Sequence, residues 1–490
     1  MRNRTALGVT SLLLAMGAFG WAAHGCSSDG ETTAPTTTTA SQGGAGAGGH
    51  AGGTGGAAGG TGGAAGGTGG HAGGTGGHAG GAGGTPGGSV GCAASIVTGA
   101  SSSCVRSADN AVWCWGSNIF GQIGDGTTDT PKSLPVQVAA LGNSVAEVAA
   151  GQNHVCAVKT DGTLWCWGHN HDGQVGDGTT DSPKPSPTQV TALAGNVLHV
   201  AAGTAHTCAV KTDGTLWCWG FNGMGQVGDG TMTGEPCGSG GFNSCRLSPV
   251  QVTALGANVV EVAVGGWQTC ARKSDGTLWC WGDNSDGQLG NGTTAGQTCG
   301  SLTCEPLPVQ VTALGESVAH ISASTVHSCA IKDDDTLWCW GGNAFGQLGD
   351  GTMGPSQPSP VQVTALGPSV TQVSAGPDHA CARKSDASIW CWGVNSLGEL
   401  GDGTLGGQDC GYGFVCQPSP AQVTGLDTEV VEVSAGGVHS CALRSDGTVW
   451  CWGMNANGLL GDGTTTGQDC GVNVTSVCKP SPTPVVQTCP

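Results

Sequence analysis

The residues best able to do chemistry in this chain are its 25 cysteines, and their spacing says which chemistry to expect. Seven pairs lie ten residues apart: Cys104/Cys114, Cys156/Cys166, Cys208/Cys218, Cys270/Cys280, Cys329/Cys339, Cys381/Cys391 and Cys441/Cys451. A three-residue hairpin loop centred on Asp161, with Gly162 in the left-handed conformation, would set Cys156 directly opposite Cys166. Opposed residues lie about 4.5–5.5 Å apart at Cβ, close enough to bridge. One cross-strand disulfide per repeat is therefore expected. Four closer pairs, Cys237/Cys245, Cys299/Cys304, Cys410/Cys416 and Cys470/Cys478, are expected to close local loops. The C-x2-C spacing of zinc sites is missing, so neither a metal nor a cofactor is assigned.

Three cysteines remain. Aligned on the repeats, Cys92 falls where Ser369 sits and Cys489 where Ala365 sits, so a Cys92–Cys489 bridge would replace a missing loop. Cys26 is then the one odd thiol.

The other reactive side chains recur too regularly to mark one catalytic centre. His154, His206, His327, His379 and His439 stand two residues before the first Cys of their pairs, with Ser102 and Gln268 in the other two places. Five imidazoles around an axis could hold a metal or an anion, but two gaps interrupt the ring and a structural role is expected. Asp109, Asp161, Asp213, Asp275, Asp334, Asp386 and Asp446 sit in the hairpin turn between paired cysteines. Asp125, Asp177, Asp229, Asp350, Asp402 and Asp462 occupy a G-D-G turn, with Asn291 in the fourth unit. Short acids in such places hydrogen-bond their own turn. G-x-S-x-G, H-E-x-x-H and P-loop motifs are all missing, and a non-enzyme is expected.

The elements that position these residues follow from a repeat. W-C-W-G begins at Trp113, Trp165, Trp217, Trp279, Trp338, Trp390 and Trp450. Around it runs a longer unit, H-T-C-A-V-K-T-D-G-T-L-W-C-W-G-F-N-G-M-G-Q-V-G-D-G-T in the third copy, from His206 to Thr231. Short apolar alternations separated by turns, with no helical period, indicate strands. Seven equal units favour a closed all-β, seven-bladed β-propeller over an open solenoid, which would need atypical caps. Fourteen Trp are then expected between blades, each burying about 150–250 Å².

The repeat H-x-C-A-V-x-x-D-G-x-L-W-C-W-G-x-N-x-x-G-Q-x-G-D-G resembles that of the regulator of chromosome condensation family, with Cys at two strand positions. The resemblance covers residues 96 to 490 and implies a seven-bladed propeller over 92–490. It also brings two activities to weigh. Guanine-nucleotide exchange on a small GTPase belongs to eukaryotic members, and export with dense disulfides argues against it here. Light sensing by a plant photoreceptor of the family uses G-W-x-H-T motifs, which only Gly266, Trp267 and Thr269 resemble. A propeller lyase or hydrolase is the remaining alternative.

The N-terminal stretch has a different character. Arg2 and Arg4 precede an apolar run, Ala6–Ala23, and the small residues Ala23 and Gly25 lie before Cys26. Residues 1–25 resemble a bacterial lipoprotein signal, which implies lipidation of Cys26. Residues 26–91 are expected to form a disordered tether, since 28 of residues 43–91 are Gly. Its random-coil reach is roughly 40–50 Å. The expected location is the bacterial cell envelope, on an outer-membrane or surface lipoprotein, with only the lipid anchor touching the membrane. A net charge of −19 with only 15 Lys+Arg argues against nucleic acid, which needs a basic surface.

Function is expected at the four insertions between the G-D-G turn and the following strand. They present Phe242, Asn243 and Arg246; Leu302; Tyr412, Phe414 and Val415; and Val472 and Val474. Variable, cross-linked segments on a rigid ring suit recognition of a protein or glycan by a monomeric, non-enzymatic scaffold.

Overall fold

The computed structural model describes residues 92–238, 243–426, 429–471 and 477–487. Two units divide the chain, 1–82 and 83–490, and every described residue belongs to the second. The signal, the tether, Cys26 and Cys489 lie outside the described residues.

Each repeat folds as an antiparallel sheet. In the second, Val145–Ala150, His154–Lys159, Leu164–Gly168 and Lys184–Gln189 pair in that order. Seven such sheets, here blades 1 to 7, begin at Ala93, Val145, Val197, Val259, Val318, Val370 and Val430. First strands touch their neighbours in sequence, and that of blade 7 meets that of blade 1, so the ring closes around an axis. Among the described residues no strand is exchanged at the closure: blade 1 is built from 93–137 and blade 7 from 430–484.

The ten-residue cysteine spacing acts as the hairpin geometry requires. Cys156 is in direct register with Cys166, and the pair is bonded with its Cα atoms 4.1 Å apart. The same register joins Cys104 to Cys114, Cys208 to Cys218 and Cys270 to Cys280 in blades 1, 3 and 4, each bonded. It joins Cys329 to Cys339, Cys381 to Cys391 and Cys441 to Cys451 in blades 5, 6 and 7, again with a bond in each. These disulfides are core, not surface. Cys114, Cys166, Cys218, Cys280, Cys339, Cys391 and Cys451 are all fully buried, so none is a thiol or sulfur within reach of a partner. The turn between paired cysteines is held by its acid: Asp161 Oδ1 accepts from the Thr163 amide at 2.9 Å and the Thr163 hydroxyl at 2.6 Å.

The core lies between blades. The Cys156–Cys166 disulfide of blade 2 is buried with Trp219 of blade 3, and the Cys441–Cys451 disulfide of blade 7 with Trp115 of blade 1. The two Trp of each W-C-W-G divide the work. The second is fully buried in every blade, whereas the first is half-buried and leans its ring on the edge of the same cluster. Its indole N–H turns back to the hairpin, as Trp165 does to Thr163 Oγ1 at 3.1 Å.

The inner Trp also fixes the angle between blades. Trp281 of blade 4 donates its indole N–H to the Gln226 carbonyl of blade 3 at 2.9 Å, and all seven interfaces repeat this bond at 2.8–2.9 Å. The first Gly of each G-D-G turn lies against that indole. Gly228 has φ +80°, and a Cβ there would stand 2.5 Å from Trp281 Nε1. The glycine is needed twice, for its conformation and for its missing side chain.

The four insertions are not simple loops. In blades 3, 4, 6 and 7 they add a fifth strand, Glu235–Cys237, Gln297–Cys299, Gln408–Gly411 and Gln468–Asp469, each paired with the outer strand. Cys237–Cys245, Cys299–Cys304, Cys410–Cys416 and Cys470–Cys478 cross-link these hairpins.

Two substitutions separate conformation from contact. Gly256→Ala, at φ +65° with nothing within 4 Å of its Cβ, should cost about 1 kcal/mol. Gly228→Ala adds the clash with Trp281 and should cost about 3 kcal/mol, read by thermal or denaturant unfolding of the oxidised protein. Equal losses would refute the indole contact as the reason for the glycine.

Candidate functional site

All five recurring histidines are buried in the ring, and four of them bond across a blade interface. His154 Nε2 meets the Thr207 hydroxyl of blade 3 at 2.8 Å, and that hydroxyl donates to the Gln174 carbonyl at 2.8 Å. The same carbonyl accepts the Trp219 indole N–H, so one oxygen gathers two bonds from the neighbouring blade. Because the hydroxyl proton goes to the carbonyl, the histidine carries its proton on Nε2. His206–Thr269 and His379–Ser440 repeat the arrangement, and His439 Nε2 meets Ser103 Oγ of blade 1 at 2.7 Å, while His327 Nδ1 bonds Ser324 Oγ within its own blade. All five are at most 1% exposed. They are therefore not an open ring of ligands. Burial lowers His154, His206, His327 and His439 to about 3 and His379 to about 4. Thr269, from the G-W-x-T stretch of blade 4, is buried in the same lock, where it bridges His206 to the Gln226 carbonyl.

The first-to-second strand turns and the third-to-fourth strand segments emerge at one end of the ring, because antiparallel strands alternate in direction. The insertion hairpins belong to this end. Asn243 donates to Asp172 Oδ1 of blade 2 at 3.2 Å, and Gly238 N–H bonds the His171 carbonyl at 2.8 Å. The blade 3 hairpin thus lies over blade 2. Phe414 of blade 6 meets Phe345 of blade 5 edge-on, with centroids 6.0 Å apart. Arg246 is not available to a partner: its Nε donates to Asp229 Oδ2 at 2.6 Å, the role Lys132 and Lys184 play toward Asp125 and Asp177. Val415 is fixed through its backbone, by Ser396 Oγ at 2.9 Å and the Asn395 amide at 2.8 Å. Leu302 is half-buried at the start of its strand. Tyr412 is 69% exposed, with φ +57° between Gly411 and Gly413. Phe242, Val472 and Val474 lie outside the described residues. Among the described residues of the expected surface, Tyr412 is the large side chain left free.

Asp172, Cys237 and Cys245 come close enough to suggest metal ligation, but both sulfurs are spent in one disulfide.

Two polar constellations escaped the sequence reading. At the same end, blade 6 carries Glu399 where five blades carry Gln122, Gln174, Gln226, Gln288 and Gln347. Glu399 is 3% exposed and accepts the Leu397 amide at 2.8 Å. Burial, with the nearby Asp378 charge, raises it to about 8, and burial raises Asp378 to about 6. The second constellation lines the axis, at the third residue of each first strand: Ser95, Glu147, His199, Glu261, His320, Gln372 and Glu432. Acceptors there cap the edge of the next blade. Glu147 takes the Val200 amide at 3.3 Å, Glu261 that of Ile321 at 3.3 Å, Gln372 that of Val433 at 2.9 Å, and Glu432 that of Ile96 at 3.1 Å. Burial raises Glu432 to about 7. Aligning the first strands would have exposed this column, because V-A-E-V, V-L-H-V, V-V-E-V and V-A-H-I follow one another there.

Two pH limbs follow. A histidine held at about 3 when folded, against 6.5 when unfolded, is protonated preferentially by the unfolded chain, so its stability is lost as pH falls below 6.5. His206→Gln, the residue blade 4 carries as Gln268, should therefore weaken the loss of thermal stability between pH 7 and pH 5. A carboxyl raised to about 8 holds its proton better when folded, so its contribution is lost as pH rises toward 8. Glu399→Gln should raise the thermal midpoint at pH 9 by roughly 2–4 °C and leave it unchanged at pH 5. Parallel pH profiles for wild type and either variant would contradict the assignment.

Comparison with known proteins places this architecture. Family models match an RCC1-like domain over residues 231–488 and the Regulator of chromosome condensation (RCC1) repeat over 109–158 and 161–210. The chain is 31% identical over 375 residues to the ultraviolet-B receptor UVR8 of Arabidopsis thaliana, covering 75% of this chain and 78% of that one. It is 30% identical over 364 residues to human E3 ubiquitin-protein ligase HERC2, but spans 7% of that protein. Among solved structures, Prp20p of Saccharomyces cerevisiae superposes with a TM-score of 0.63 at 19% identity, over 81% of this chain and 88% of that one. With its seven sheets, its indole-locked interfaces and these matches, the chain belongs to the regulator of chromosome condensation repeat family.

Proposed function

We propose that the protein is a non-enzymatic binding scaffold that presents disulfide-linked hairpins from one end of its ring to a protein or glycan. The observation that carries this reading is Tyr412. Its hairpin is cross-linked by Cys410–Cys416, and its ring is held 69% exposed between two glycines. A large side chain kept in water on a braced turn loses little entropy on binding. The other recurring reactive residues are spent internally: histidines inside the ring, turn acids in turns, and described cysteines, except Cys92, in disulfides.

The same reading includes export as a lipoprotein anchored through Cys26, with residues 26–91 as the spacer and Cys92–Cys489 as a covalent closure. Eleven disulfides among the described residues support an oxidising compartment. Cys92 packs at Gly447 of blade 7, and Gln487 accepts the Val449 amide at 2.7 Å, so Cys92 and a residue near Cys489 in sequence reach one hairpin.

The mature protein and its Tyr412→Ala variant should be compared as baits against envelope extracts and a glycan array. The expected result is capture by the wild type and at least a tenfold loss in the variant, at an unchanged thermal midpoint. Equal capture by both would remove Tyr412 from the surface. Non-reducing peptide mapping should recover Cys92 joined to Cys489, and a free thiol at Cys92 would overturn that closure.

A further inference from the structure

The axial column offers a structural reason for four of its seven residues. Glu147, Glu261, Gln372 and Glu432 replace the missing neighbouring strand by accepting an edge amide of the next blade. His199 and His320 do not follow this pattern. Among the described residues, neither bonds forward to the next blade, to the Val262 or Val373 amide. Both instead turn back. His199 Nδ1 meets Glu147 Oε2 of blade 2 at 3.0 Å, and His320 Nδ1 lies 3.8 Å from Glu261 Oε1 of blade 4.

That orientation leaves the other ring nitrogen free. The side chains of His199 and His320 are 45% and 60% exposed, and no described residue bonds either Nε2. At His199 the Glu147 carboxylate accepts Nδ1–H, which fixes the tautomer in which Nε2 carries the lone pair. At His320 the Glu261 carboxylate stands at ion-pair distance, and in both cases the neighbouring acid raises the basicity of the ring. This is the usual support behind a metal-binding imidazole. Both strands touch the first strand of blade 4, and the Glu261 carboxylate on that strand raises the basicity of both imidazoles. Glu261 is itself held by the Arg272 Nε–H at 2.8 Å.

We propose that His199 and His320 are ligands for an imidazole-preferring divalent cation, of the Zn²⁺ or Cu²⁺ class, entering the axial channel. Glu147 and Glu261 act behind them as positioning residues. Imidazole selects these ions over Mg²⁺ or Ca²⁺, which favour all-oxygen sites. The other described histidines do not compete equally. Five are buried in the ring, and His169 is tied through Nδ1 to Gln174 Nε2 at 2.7 Å. The inference does not depend on Tyr412, since a scaffold without an ion and an ion site without a partner are separately detectable.

The test is calorimetric titration of the oxidised mature protein with Zn²⁺ alone at pH 8. Wild type should bind, and His199→Ala with His320→Ala should lower the affinity at least tenfold. His169→Ala with His171→Ala should leave it unchanged. Glu147→Gln should weaken binding about tenfold, and the pH at which zinc is released should shift with it. Thermal midpoints of these variants without metal report whether the ring is intact. Affinity unchanged by loss of both channel histidines overturns the proposal. So does binding that disappears only when His50, His71 and His78 of the tether are replaced.

Discussion

The bond from a buried indole N–H to a carbonyl of the preceding blade is the interaction on which the ring depends. A sheet with one face bare cannot stay in water, and each blade here has two faces to cover. The second Trp of W-C-W-G covers one of them against the disulfide of the blade before it. Its single polar atom must then be satisfied in a dry interface, since an unpaired buried donor costs about 1–3 kcal/mol. The carbonyl beside the G-D-G turn meets that need, and it fixes the rotation between blades seven times over. Closure needs no special device in the described ring, because Trp115 finds the Leu459 carbonyl at 2.8 Å just as every other Trp finds its own.

The axis poses the opposite problem. First strands have no neighbour on their inner edge, and an open edge invites pairing with another chain. Side chains of the preceding blade substitute for the missing strand. Carboxylates and an amide serve the fourth residue of the next strand, while Ser322, Ser374 and Ser434 serve the sixth in blades 6, 7 and 1 at 2.9–3.0 Å. Three of these caps are acids, and Glu432 sits where burial favours its neutral form. The channel is thus lined by groups whose first duty is structural. Where that duty is missing, at His199 and His320, chemistry has room to appear.

Residue type alone is a poor guide to availability in such a molecule. Histidine occurs as a buried neutral strut, as a half-buried ring (His169) meeting Phe120 and His171 edge-on, and as a half-exposed channel imidazole. Arginine at 246 has the look of a recognition residue and is instead the brace of its own hairpin base. Asp229 is the reason, because its second oxygen needs a cation once the first has capped the turn at Thr231.

Much of the fold was legible in the sequence, for a physical reason. The W-C-W-G period, the ten-residue cysteine spacing and the D-G turns are local constraints, and local geometry is set by neighbours along the chain. Blade count, hairpin register and the seven internal disulfides are readable on that basis. Sequence spacing also located the insertions, although not their fifth strands, which form by pairing with an outer strand already in place. Only the tertiary structure decided what crosses from one blade to the next. That Trp281 answers to Gln226, that His154 is spent on Thr207, and that Glu147 and His199 meet between neighbouring first strands are facts of ring closure. Partners about fifty residues apart become neighbours only when the sheets are set around a common axis.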